Sequence, residues 1–340
     1  MAKKRGRGMA CIIYGTGYGN GFPDVSSATV EIHDDGSATV RIGAVDCGQG
    51  SNTVLIQIAA QELGLDTSQV TLVTGDTDST PDAGTTAATR QTYASGNAVL
   101  RAARKAKEKL LEYATGVLGV NTPEGLEMVG GYVSVKGYPQ KRVSIKELAS
   151  KARLSGIHLS GTGSFITHTT SVDTSTGEGA PYWPYAFATQ IAEVEVDTNT
   201  GRIQVLKVIA AHDVGKAINP QSVRGQIAGG IAQGMGYALL EEVQLKEGRI
   251  TNPYFSQYLI PTCMDMAVVE PIIVEDGEPS GPYGAKGVGE PAMLPTAPAI
   301  LNAIYDAIGV RFTSLPVTPE KVLAALKKRL EHIKESFKFV

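Results

Sequence analysis

The strongest constraint on the fold is a pattern that the chain writes twice. Ala28 to Ile42 (ATVEIHDDGSATVRI) alternates apolar and polar residues on both sides of Asp35-Gly36, the mark of a β-hairpin whose turn needs glycine at positive φ. A glycine-bearing link, Asp46 to Ser51, follows; then come helical spacing from Thr53 to Leu63 closed by Gly64, and a strand at Gln69 to Thr74. The order returns later: Ile191 to Val208 reads strand, Thr198-Asn199-Thr200-Gly201 turn and strand, followed by His212-Asp213-Val214-Gly215 and a helix from Pro220 to Leu240. Two copies about 165 residues apart are too few for a solenoid and fit an α+β chain of two similar α/β subdomains, each a β-ribbon or sheet packed against helices.

The expected division is an amino-terminal arm and pocket segment (1–27), a first α/β subdomain (28–165), a second (166–330) carrying a glycine-rich loop, and a carboxy-terminal tail (331–340). Gly161 to Pro181 is polar and turn-rich, either a linker or a long surface loop. A long helix is expected at Ala94 to Tyr113, its lysines and arginines on a solvated face, and a last one at Pro319 to Leu330, with Thr318 as N-cap.

Charge and cysteine content narrow the function. With 31 basic and 34 acidic residues the chain has no basic excess, so nucleic acid is not an expected partner. Cys11, Cys47 and Cys263 form no C-x-x-C pair, so neither an iron–sulfur cluster nor a zinc ribbon is expected from this chain alone, and a reducing, cytoplasmic compartment fits. No run approaches the apolar length of a membrane span. The basic Met1 to Arg7 either keeps an end solvated or lies against an acidic partner chain.

Glycine is in excess, 39 residues of 340, and clusters where backbone can approach a ligand. Gly48, Gln49 and Gly50 lie between strand and helix, in an anion-holding or an ordinary tight turn. Gly84 to Thr92 packs hydroxyls and Arg90 ahead of the long helix, either for a phosphate or flat ligand or as a Thr-rich helix entry. Gly225 to Gly236 carries five glycines in one helix, with Gln226 and Gln233 near one face; close helix packing and cofactor contact both account for it. In Gly284 to Pro291, Glu290 stands at the end of a side-chain-poor loop, as a general base or as a surface carboxylate before a helix.

Together, DCGQGSNT (46–53), TTAATRQTYASGNAV (85–99), HDVGKAINPQSVRGQIAGGIAQGMG (212–236) and GPYGAKGVGEP (281–291), in this order, resemble the carboxy-terminal half of the molybdopterin-binding subunit of the xanthine dehydrogenase and aldehyde oxidase family. The resemblance implies a molybdenum atom held by a pterin, in the cytosine dinucleotide form usual for bacteria, with no direct protein ligand to the metal. It implies Glu290 as general base in a hydroxylation that takes oxygen from water. Gly48, Gln49, Gly50, Gln233, the Thr86, Ala87, Ala88, Thr89, Arg90, Gln91 segment and Lys286, Gly287, Val288, Gly289 would line the cofactor. Ala87, Ala88 and Tyr18 would face the substrate, with Tyr18 stacking on an aromatic ring.

The family's subunit is about twice this length, and its amino-terminal half has no counterpart here, as in the split arrangement of nicotinate dehydrogenase. The resemblance therefore implies a large molybdopterin subunit that completes the site, a [2Fe–2S] subunit and an FAD subunit. A nicotinate- or purine-like N-heteroaromatic is the expected substrate. The alternatives are an aldehyde, an aryl-CoA thioester or carbon monoxide in the same family, or a non-catalytic assembly role.

Overall fold

The structure, a computed structural model, describes residues 3–19 and 24–336. β1 (Lys3–Gly15) comes first, then the hairpin β2 (Val25–Ile32) and β3 (Ala38–Ile42), helix α1 (Ser51–Leu63), β4 (Val70–Thr74) and, after a π-helical turn at Gln91–Ser95, helix α2 (Gly96–Leu118). A small sheet of β5 (Leu126–Val129), β6 (Tyr132–Val135) and β7 (Tyr138–Ser144), with α3 (Ile145–Leu154), precedes β8 (Ser160–Ile166). The second half runs β9 (Tyr185–Asp197), β10 (Ile203–Asp213), α4 (Pro220–Leu239), the short pair β11 (Leu245–Lys246) and β12 (Arg249–Ile250), β13 (Val268–Val274), α5 (Thr296–Ile308) and α6 (Pro319–Ser336).

Two four-stranded sheets result, ordered β4-β3-β2-β8 and β1-β9-β10-β13. In each, an antiparallel hairpin is followed by a helix and a strand parallel to the second hairpin strand, β4 on β3 and β13 on β10. The chain is therefore α+β with two similar units, as its repeated pattern implies. Each unit has its own apolar core: Val30, Val40, Ile42, Leu55 and Ile58 belong to the first, Val194, Val208, Ile227, Ile231 and Ile300 to the second. Full burial of one such side chain stabilises the fold by about 1.5–3 kcal/mol.

The fourth strand of each sheet departs from the expected layout. Residues 3–15, expected as part of an arm, form β1, paired with β9 from Lys3–Asp197 to Gly15–Tyr185. Lys3 and Arg5 reach Glu195, and Arg7 reaches Glu193, so the basic stretch finds its acidic partners within this chain. Likewise the first residues of the supposed linker are β8, paired with β2. Both edge strands carry a glycine pair that lets a helix lie directly on the backbone. A Cβ on Gly6 or Gly8 would stand 2.3 Å from a carbonyl of α5, and one on Gly161 or Gly163 would stand 2.3 Å from a carbonyl of α2. The helices answer with Ala299 and Ala303, and with Ala98, Ala102 and Ala106, all fully buried.

At the other end of the chain, α6 runs on to Ser336, into the expected tail. Residues 1, 2, 20–23 and 337–340 of the arm and tail segments lie outside the described residues. Among the described residues no helix is long and apolar enough to cross a membrane.

Candidate functional site

The loops that leave the carboxyl ends of the parallel pairs converge, as open α/β sheets generally arrange their binding crevices. Cys47 to Ser51 follows β3, Thr86 to Thr92 follows β4, Val214 to Asn219 follows β10, and Lys286 to Glu290 follows β13. With one side of α4 they enclose a cavity of about 540 Å³. Of the sixteen residues that sequence pattern and resemblance point to, the cavity gathers Gly48, Gln49, Thr86, Ala87, Thr89, Arg90, Gln91, Gln233, Lys286, Gly287, Val288, Gly289 and Glu290. Gly50, Ala88 and Tyr18 do not line it.

The Thr86 loop is held in a conformation that its residues disfavour. Ala88 and Thr89 both have positive φ, 52° and 59°, a strain of order 1–3 kcal/mol each that persists only where surroundings impose it. Arg90, 1% exposed, imposes it here. Its guanidinium pairs with Asp24 and donates to the carbonyls of Ala83 (2.7 Å), Thr85 (3.1 Å) and Val25 (2.7 Å). Gln91 donates to Thr86 Oγ1 (2.8 Å) and accepts from Ser95 Oγ (2.6 Å), while Thr86 Oγ1 donates to the Val45 carbonyl (2.7 Å). Arg90 and Gln91 thus shape the wall through internal bonds. Tyr18 lies behind that wall, with Arg90 6.0 Å from its ring centroid.

Glu290 opens a short 3₁₀ turn, Glu290–Ala292. Thr89 Oγ1 donates to its carboxylate and accepts from its backbone N–H at 3.2 Å. Among the described residues no cation pairs with this carboxylate, which faces the cavity. Tyr14 of β1 sits beside it: burial, and then the Glu290 charge, push the Tyr14 phenol above its ordinary range, so it stays protonated. Neither Thr89's role nor Tyr14 carries a sequence signal, because each depends on loops from distant parts of the chain meeting.

The turn rests on buried polar support. Gln190, fully buried in β9 where alternation calls for an apolar residue, donates to the Ala292 carbonyl (2.8 Å) and accepts from Thr296 Oγ1 (2.7 Å). His212 Nε2 lies 3.2 Å from the same amide, and burial lowers the His212 pKa to about 4, so it is neutral near pH 7. Lys286 is 8% exposed and binds Asp213 Oδ2 at 2.6 Å and the Tyr185 carbonyl at 3.1 Å. Its ammonium holds β10 and β9 together while its backbone borders the cavity.

At the head of α1 the anion expected from outside is one of the chain's own. Asp46 accepts from the N–H groups of Gly48 (2.7 Å), Gly50 (3.3 Å) and Asn52 (3.1 Å). Burial acts to raise its pKa, but the bonds from Asn52, Gly48, Gly50 and Ser51 outweigh it and hold the carboxyl below its usual range. Gln49 caps the same turn, accepting from Cys47 N–H at 2.6 Å and donating to Ser51 Oγ at 3.0 Å.

The α4 glycines divide between a packed face and an open one. A Cβ on Gly230 or Gly234 would strike Ala292 at 2.6 Å or Thr296 at 2.4 Å, so these permit packing against the Glu290 turn and α5. Around Gly225 and Gly229 there is nothing within 4 Å. Gly229 lines the cavity beside Gln226 and Gln233, whose side-chain amides have no hydrogen-bond partner among the described residues. A side-chain-free floor flanked by two available amides is a cradle for a flat, polar, hydrogen-bonding group, which is what the pterin of a molybdenum cofactor is.

Comparison with known proteins gives a consistent result. Residues 1–267 match the molybdopterin cofactor-binding domain. The chain is 32% identical over 326 residues to a xanthine dehydrogenase molybdenum-binding subunit of Escherichia coli, covering 94% of this chain and 42% of that protein. It is 34% identical over 332 residues to an aldehyde oxidoreductase of Megalodesulfovibrio gigas, covering 95% of this chain and 32% of the other. Quinoline 2-oxidoreductase from Pseudomonas putida 86 has a similar structure, with a TM-score of 0.86 and 30% identity over 96% of this chain and 42% of that one. The chain thus spans less than half the length of these relatives.

Proposed function

From the premise that the chain belongs to the molybdopterin cofactor-binding family, alongside the molybdenum-binding subunits of xanthine dehydrogenase and aldehyde oxidoreductase, we propose that it forms one wall of a molybdenum hydroxylase active site in which Glu290 is the general base. The observation that carries this reading is the position of Glu290, a carboxylate with no cation partner among the described residues, held by Thr89 and facing the same cavity as the Gly229, Gln226 and Gln233 cradle.

When bound, the cofactor supplies the two-electron oxidation that introduces a water-derived oxygen into the substrate. Gln226 and Gln233 would bind its pterin edge, the Gly229 backbone would receive its flat face, and the Lys286 to Gly289 main chain would border it. Glu290 removes a proton from the attacking group. It is suited to this because its carboxylate is oriented by the Thr89 hydroxyl and the Tyr14 phenol, has no cation partner among the described residues and borders the cavity. Tyr14, held as a neutral phenol, adds no competing negative charge at the site.

The proposed substrate is an N-heteroaromatic ring of nicotinate or purine type, supported by the likeness to quinoline 2-oxidoreductase and to the xanthine dehydrogenase subunit. The remaining walls would come from a large molybdopterin subunit, with [2Fe–2S] and FAD subunits carrying electrons away and the pterin in its cytosine dinucleotide form. The share of the relatives that this chain spans supports such partners.

The test uses the native complex purified through this chain. One molybdenum, about four irons and one flavin per copy are expected, as two [2Fe–2S] clusters and one FAD require. Glu290→Gln is expected to keep the molybdenum and lose turnover by about 100- to 10,000-fold. A molybdenum-free complex, or unchanged turnover in the variant, overturns the assignment; oxidation of aldehydes in place of heteroaromatic rings overturns only the substrate class.

A further inference from the structure

A second concavity of about 640 Å³ lies on the other side of the segments that wall the cofactor cavity. Gln91 and Thr92 face the first, while the adjacent Tyr93 and, one turn further on, Asn97 face the second. Ser280 ties this region together: Tyr93 Oη lies 2.8 Å from its hydroxyl, Trp183 Nε1 donates to that hydroxyl at 3.2 Å, and Asn97 donates to its carbonyl at 2.9 Å.

The lining has the composition of an interface anchor site, rich in Trp, Tyr, Phe and Arg. Trp183 is 40% exposed and Tyr283 39% exposed, and Phe165 lies under the Arg101 guanidinium at 4.9 Å. The charge is one-sided. Glu62 is engaged by Arg104, Lys107 and Tyr283, and Glu278 is buried and bonded to Ser280. Arg101 meets no carboxylate among the described residues; it donates only to the Ser164 carbonyl at 2.8 Å. A concavity with aromatic walls and an unmatched guanidinium complements an acidic segment bearing an aromatic or aliphatic anchor.

We propose that this cleft between α2 and the 279–284 loop is where the polypeptide completing the cofactor site docks, through such a segment. The proposal rests on the reading that a large molybdopterin subunit partners this chain. It gives that partner a second contact on segments that continue into the cofactor cavity, since Tyr93 follows the Thr86 to Thr92 loop and the 279–284 segment leads directly into Lys286 to Glu290. The chemistry is recognition alone, with no bond made or broken.

Trp183 is the chain's only tryptophan, so one label reports the cleft. The chain, produced with 5-fluorotryptophan, is mixed with the unlabelled large subunit that copurifies with it, and the single ¹⁹F resonance is followed. The expected result is a shift of that resonance and loss of its solvent accessibility on complex formation. Arg101→Glu should weaken association at least tenfold, whereas Arg142→Glu, at another guanidinium stacked on an aromatic ring (Tyr132, 4.3 Å), should leave it unchanged. Circular dichroism shows whether each variant is folded; should Arg101→Glu unfold the chain, Arg101→Gln is expected to weaken association in the same direction. A complex that forms with the resonance unmoved and Arg101→Glu binding normally overturns the docking face and leaves the split-subunit reading standing. A chain that copurifies with no such subunit overturns both. A shift produced by inorganic phosphate or AMP, with none from the large subunit, makes the cleft a small-anion site and overturns the proposal.

Discussion

Thr89 and Glu290, 201 residues apart, hold each other reciprocally: the threonine hydroxyl donates to the carboxylate and accepts from the glutamate's own N–H. The two occupy matching places in the repeated architecture, each on the loop that leads from the parallel strand into the next helix. The arrangement proposed as catalytic is thus a contact between the two copies of one motif.

Removing that hydroxyl tests the contact. A hydrogen bond to a charged group contributes about 1.5–3 kcal/mol, so Thr89→Ala is expected to lower kcat about 10- to 100-fold while Thr89→Ser keeps most of it. Steady-state kinetics of the loaded complex decide, and equal rates for the two variants would show that the hydroxyl is idle.

Adjacent glycines of α4 should respond with opposite sign. Gly229→Ala fills open space on a helix, so the chain should gain about 0.5–1 kcal/mol of stability yet retain less cofactor. Gly230→Ala drives a methyl to 2.6 Å from Ala292 and should destabilise by about 1–3 kcal/mol. Thermal denaturation and molybdenum content, measured side by side, separate the two effects.

The glycine pairs beneath α2 and α5 predict a matched pair of losses. Gly163→Ala and Gly8→Ala each place a methyl against helix backbone, at 2.3 Å and 2.1 Å, and each should cost about 1–3 kcal/mol in urea unfolding. A neutral result at either site would mean that its helix is free to move away from the sheet.

His212 makes stability fall with acid. Its folded pKa, about 4, lies below the ordinary 6.5 because burial disfavours the charged ring. The unfolded chain therefore binds a proton that the folded one refuses between those values. The contribution is complete above pH 6.5 and is lost as pH falls toward 4, about 3 kcal/mol in all. His212→Asn should flatten the pH dependence of urea midpoints across that window relative to the parent.

The repeated hairpin and helix grammar was legible because alternation, Asp35-Gly36 and the helix-closing Gly64 act locally. The Lys286 to Glu290 and Thr86 to Gln91 loops were legible through their motifs. What stayed hidden is what distance in the chain conceals. Residues 3–15 read as an arm because the acids that neutralise them, Glu193 and Glu195, stand on β9. Asp46 went unnoticed because its role is to occupy the very N–H groups whose glycine-rich pattern advertised an anion site. Gln190 breaks the alternation of β9, and that break was its only sequence signal.

The pairing of β1 with β9 sets an order of events during synthesis. Its partners are separated by 170 residues at Gly15–Tyr185 and 194 at Lys3–Asp197, roughly ten to forty seconds of translation at ~5–20 residues per second. Over that interval the ribosome has delivered all of β2 to β8, so the first unit can close from one continuous stretch. The second must wait for its edge strand to be recovered from far behind. Ribosome-bound chains halted after β8 should protect residues 25–166 from protease while 3–15 remain cleavable.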